Sequence, residues 1–168
     1  MALQLFKIAS VEIATPQTSI DFSSIPSGYT DLILKLSARE ATTTSLTLYL
    51  TINGSTSAIY SVRTIQGNGT TASSGIATNG TSGNFSIINS SSYTNNTFSN
   101  AEFYIPNYAG SNNKSLSIDS VSENNGTEAY ARLAAGIWAS TAAINQLTLS
   151  LASGNIAAGS TATLYGVL

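Results

Sequence analysis

The sequence predicts an all-β protein, a jelly-roll-like antiparallel β-sandwich of about ten strands. Three observations predict it. Apolar residues recur with a period of two in short runs, which is the mark of a strand with one face in a core. Turn-forming residues punctuate those runs at regular intervals. The 168 residues make one ordinary domain, 1–168, able to withdraw roughly 70% of its unfolded surface from water, and a hydrophobic fraction of 42% argues against wholesale disorder.

Taken in order, the apolar segment Met1–Ala14 is the first strand candidate. In Thr30–Ala38, Leu32, Leu34 and Leu36 share one face, with Ile33, Lys35 and Ser37 on the other. The next run repeats the pattern: Leu46, Leu48, Leu50 and Ile52 oppose Thr47, Tyr49 and Thr51, and Asn53-Gly54 follows as a turn signal. Further strands are expected at Ala58–Ile65, Phe85–Ile88, Ala101–Ile105, Lys114–Val121, Ala129–Ala139, Ile144–Leu151 and Thr161–Val167. The alanine-rich segment Glu128–Ala143 could compete as helix. Strand is preferred because Ala131, Leu133, Ala135 and Ile137 alternate with Tyr130, Arg132, Gly136 and Trp138, and a glycine weakens a helix interior.

Residues 67–100 differ in kind, since 26 of the 34 are Gly, Asn, Ser or Thr. They read as a long insertion, either a decorated loop or a pair of weak strands outside the main sheets, with Ile76, Phe85, Ile87, Ile88, Tyr93 and Phe98 as apolar anchors.

Charged residues make up only 8% of the chain, against about 25% in typical soluble domains. Six basic and eight acidic side chains, thinly spread, present no face for phosphates or lipid headgroups, so neither nucleic acid nor membrane is expected as a partner. A net charge of −2 permits close self-association. With no cysteine, disulfides and thiolate metal sites are excluded. The N-terminal segment carries Lys7 and Glu12 and lacks a basic leader, so a soluble protein made in the cytoplasm is expected.

Catalytic readings find little support, because histidine, the commonest proton-transfer group, is absent. Ser111-Asn112-Asn113-Lys114 has the Ser-x-x-Lys spacing in which lysine activates a serine, but it follows Ala109-Gly110 in a turn rather than sitting on a helix. Gly67 to Ala72 has the glycine spacing of a dinucleotide loop without the helix that must follow. Asp119, Glu123 and Glu128, around Asn124, Asn125 and Gly126, could offer oxygen ligands to Ca²⁺, but the spacing is not that of an EF-hand and a hairpin turn is the simpler reading. The Asn-x-Ser/Thr triplets at Asn53, Asn68, Asn79, Asn84, Asn89, Asn95, Asn113 and Asn125 are assigned to turns and loops. No enzyme activity, metal or cofactor is expected, and Trp138 reads as core.

Four segments go beyond periodicity: Ile25-Pro26-Ser27-Gly28-Tyr29-Thr30-Asp31-Leu32, Ile52-Asn53-Gly54-Ser55, Ile105-Pro106-Asn107-Tyr108 and Thr161-Ala162-Thr163-Leu164-Tyr165-Gly166. With them the chain resembles, over nearly its whole length, small β-rich virion structural proteins of tailed bacteriophages. The resemblance implies a capsid decoration (cement) protein, commonly a homotrimer, that sits on the outer capsid surface and bridges major capsid proteins. A tail or head fibre module that binds host surface polysaccharide is the alternative. The expected capsid contact is Leu3, Leu5, Phe6 and Ile8. Residues 67–100 are expected at the outward face or trimer seam, and the loop aromatics Tyr93, Phe98 and Tyr108 are candidate partner contacts.

Overall fold

The computed structural model describes residues 4–42, 47–123 and 129–168. Among these it has twelve strands: β1 Leu5–Glu12, β2 Ser19–Phe22, β3 Asp31–Ala38, β4 Thr47–Ile52, β5 Tyr60–Gly67, β6 Ala72–Gly80, β7 Gly83–Ile87, β8 Ser99–Pro106, β9 Lys114–Glu123, β10 Ala129–Trp138, β11 Leu147–Leu151 and β12 Thr161–Val167. They form two antiparallel sheets, one of eight strands in the order β1-β12-β3-β8-β9-β10-β5-β6 and one of four in the order β2-β11-β4-β7. The sheets pack as a β-sandwich, and Glu128–Ala143 contributes strand where its described residues are regular.

The period-two pattern predicts which side chains meet between the sheets. Leu32, Leu34 and Leu36 of β3 are buried, as are Leu48, Leu50 and Ile52 of β4; Leu46 lies outside the described residues. On β10 the buried series is Ala134, Gly136 and Trp138, so Leu133, Ala135 and Ile137 face outward. Gly136 is required there by the opposite sheet: a Cβ on it would lie 2.0 Å from the Phe85 ring, which fills the space between β10 and β7. Gly83 stands under the same ring, where a Cβ would meet it at 1.8 Å.

Two hairpins are additions to an eight-strand framework. The β5–β6 pair intervenes between β4 and β7, and the β9–β10 pair between β8 and β11. They join through the β5–β10 pairing and extend the larger sheet beyond β8. Without them the framework is β1-β12-β3-β8 against β2-β11-β4-β7.

The single insertion expected over 67–100 is corrected on two counts. Ala72–Gly80 is the edge strand of the larger sheet, paired to β5, and Gly83–Ile87 is an integral strand of the smaller one, paired to β4. Strand pairing uses backbone groups, so a run of Ser, Gly, Ala and Thr can add to a sheet without an apolar face of its own. Only the stretch between β7 and β8 is a loop.

Candidate interaction surface

Of the segments that carry the resemblance, the first and third are joined by hydrogen bonds at one end of the sandwich, the second reaches that end through residues 144–146, and the fourth is β12, paired along β3. Asp31 accepts from Tyr104 Oη at 2.7 Å and from the Asn107 backbone N–H at 2.9 Å. Tyr108 is fully buried and its hydroxyl donates to the Pro26 carbonyl. The Ile144 N–H donates to the Tyr108 carbonyl at 3.0 Å, and the Thr30 N–H to the Val167 carbonyl at 2.8 Å. Asn53 adopts a positive φ of 52° in its turn, and its side-chain oxygen accepts from the backbone N–H groups of Asn145 and Gln146. Gly166 leaves room for the Tyr29 ring, which a Cβ would approach to 2.2 Å. These residues build the fold and offer no site.

Of the expected capsid contacts, Leu3 lies outside the described residues. Leu5 is exposed, and Phe6 is exposed on one side while the other stacks on Tyr29 with ring centroids 6.0 Å apart. Ile8 packs against the core. Among the described residues β1 pairs only with β12, which leaves its other backbone edge open.

Tyr108 is a correction: it was expected among the loop aromatics available to a partner, yet it is a core residue, because the turn at Asn107 directs its ring inward. Tyr93 and Phe98 are half-buried. Their loop is tied down by Arg39, itself buried, whose guanidinium donates to the carbonyls of Ser91, Tyr93, Thr94 and Thr97 at 2.7–3.2 Å. The Phe98 ring packs beside Gly159, just before the start of β12, whereas Leu5 pairs with Val167 at its end. The two expected contact regions thus lie at opposite ends of one strand.

The catalytic spacings resolve as structure. Lys114 is buried, which lowers its pKa, and its ammonium donates to the carbonyls of Gly110, Asn112 and Ser140 rather than to the Ser111 hydroxyl. Asn68 closes the turn at Gly67 to Ala72 by accepting from the backbone N–H groups of Thr70 and Thr71. Asp119 points outward from β9, while Asn124 to Glu128 lie outside the described residues.

The feature that sequence reasoning missed is the outward face of the added hairpins. Ile76 is 71% exposed, Ile65 63%, Leu133 61%, Ile137 48% and Val121 41%. The pairings place them on one side of the sheet: Leu133 stands opposite Ile65 and Asp119, Ala131 opposite Val121, and Ile76 opposite Arg63. Three shallow depressions of about 390, 480 and 450 Å³ lie across this face, lined by residues such as Tyr104, Leu133, Ile137 and Val121. Isolated exposed aliphatics are ordinary, but a group gathered on one sheet face is the composition of a contact surface. The available signal was a strand, β10, whose outward series Ala131, Leu133, Ala135 and Ile137 is wholly apolar. Comparison with known proteins returns no match among family models, curated proteins or solved structures.

Proposed function

We propose that this chain is a non-enzymatic virion structural protein, a capsid decoration protein of a tailed bacteriophage that binds the outer shell and bridges major capsid proteins. The framework order β1-β12-β3-β8 against β2-β11-β4-β7 supports a jelly-roll reading of the sandwich, since successive strands pass between the sheets except at the β4–β7 neighbours. The observation that carries the functional reading, beside the resemblance, is the open edge of β1 with Leu5 and Phe6 exposed along it. An unpaired strand edge flanked by apolar side chains is suited to strand addition by a partner. A subunit that binds only the assembled shell stabilises it by its binding free energy, multiplied over many sites. Sparse charge suits such contacts, because apolar and hydrogen-bonded interfaces lose little to salt. The assembled form in this reading is a homotrimer, made in the bacterial cytoplasm and resident on the outer capsid surface.

Immunogold microscopy of intact virions tests the reading. Label spread over heads supports decoration. Label on tails or sparse fibres transfers the chain to host recognition, and unlabelled virions overturn the virion assignment. On purified shells, Leu5→Ser with Phe6→Ser should reduce binding at least tenfold while the far-ultraviolet spectrum stays that of the parent.

A further inference from the structure

The outward face of the eight-stranded sheet carries an internal pattern of charge and shape. Its apolar centre lies on β10, with Leu133, Ala135 and Ile137 exposed along it. Arg63 stands on the β5 side, opposite Ala135, and Asp119 on the β9 side, opposite Leu133. Two strand spacings and two residues separate them, roughly 12 Å, too far for a pair within one copy. The Arg63 guanidinium donates to the carbonyls of Val62 and Ala77, at 3.1 and 3.4 Å, and meets no carboxylate among the described residues. Asp119 stands opposite Glu102 on β8 and lies within electrostatic reach of Lys35. Glu102 pairs with Lys35 at 2.9 Å in that same cross-strand row, so the row holds two carboxylates to one ammonium. The apolar centre is therefore flanked by Arg63 on one side and by a row with one carboxylate in excess on the other.

Area points the same way. Five strands, β8, β9, β10, β5 and β6, at about 4.8 Å spacing and about eight residues of about 3.3 Å each, present on the order of 600 Å² in plan. Side-chain relief and the adjoining β3 row bring this toward the roughly 800 Å² that one partner buries in an interface of standard size.

We infer that copies of this chain bind one another through this face, the β5–β6 side of one lying on the β8–β9 side of the next, with Arg63 of one copy against Asp119 of the other. The arrangement covers Ile65, Ile76, Leu133 and Val121 together and sets Arg63 against the row with the excess carboxylate. A foreign partner would need its own matched charges and apolar strip; a second copy already has both. The inference does not depend on the decoration reading, because it concerns the purified chain in the absence of any virion.

Light scattering on the full chain across about 1–100 µM tests it. The parent should show a mass that is a multiple of 17.3 kDa. Arg63→Asp and Asp119→Arg should each weaken association about tenfold or more, and the two together should restore it. Leu133→Lys should leave a single-chain mass. Since Leu133 is exposed, this variant keeps its core, which Trp138 fluorescence verifies. A parent that stays at single-chain mass throughout, a Leu133→Lys protein with the parent's mass, or a double charge reversal that fails to recover association would each overturn the inference.

Discussion

The outward faces of the two sheets use the same extended backbone and opposite side chains. From the four-stranded sheet, Thr47, Tyr49, Thr51, Thr148 and Ser150 project with intermediate exposure, and Asp21 accepts hydrogen bonds from Ser19 and Thr148. From the added hairpins of the larger sheet, Ile65, Ile76, Leu133, Ile137 and Val121 project instead. The first face is the ordinary solvated side of a half-buried sheet. The second repeats the chemistry of the core on the side that has no second layer. Apolar area in water costs about 25 cal/mol per Å² relative to burial, so this difference marks the hairpin face as one that gains from being covered.

Breaking the contact that joins hairpins to framework should have the largest effect. Gly136→Val would drive a side chain into the Phe85 ring, and destabilisation of about 3 kcal/mol or more is expected in urea unfolding. Leu133→Ser, one strand face away and three residues earlier, should change the stability of the dissociated chain by less than about 0.5 kcal/mol. If the two variants unfold alike, the assignment of β10 faces is wrong.

The next effect concerns the loop between β7 and β8. Arg39→Met removes the donor to four carbonyls and should cost about 2–3 kcal/mol. Amide exchange should accelerate at Tyr93 to Phe98 and leave β10 unchanged, which separates loop from sheet.

A smaller effect sharpens the framework side through pH. Burial raises the phenol pKa of Tyr60 and of Tyr108. For a group raised on folding, the stabilisation is complete below the unfolded value, about 10 for tyrosine, and is lost as pH climbs through the raised folded value. Tyr60→Phe with Tyr108→Phe should therefore lower stability at neutral pH, by removing hydrogen bonds such as that from the Ile52 N–H to Tyr60 Oη at 2.8 Å, yet flatten its decline above pH 10. Denaturation curves from pH 8 to 11 would show a parallel decline if neither phenol contributes.

Most of the framework was legible because its strands alternate cleanly. Leu32 to Leu36 and Leu48 to Ile52 have one apolar series each, and that series is the buried one. β2 and β6 were not legible: the first is four residues long, and the second, rich in Ser, Gly and Thr, takes its conformation from pairing with β5. Tyr108 was misread because Asn107 and Gly110 mark a turn, and a turn residue's ring can still enter the core. The candidate surface was hidden for a different reason. In β10 the outward series Ala131, Leu133, Ala135 and Ile137 is the more apolar, while the inward one carries Arg132 beside Ala134 and Trp138, so periodicity reports a strand but points to the wrong face. That choice is made by the Phe85 ring, for which Gly136 leaves the room on β10.

The same substitution placed on each outward face tests the central claim most directly: Leu133→Lys on the hairpin face and Thr51→Lys on the four-stranded face, compared by sedimentation velocity. The account predicts that Leu133→Lys sediments as a single chain while Thr51→Lys keeps the parent's larger coefficient. Equal coefficients for the two variants, or loss of association only with Thr51→Lys, would contradict it.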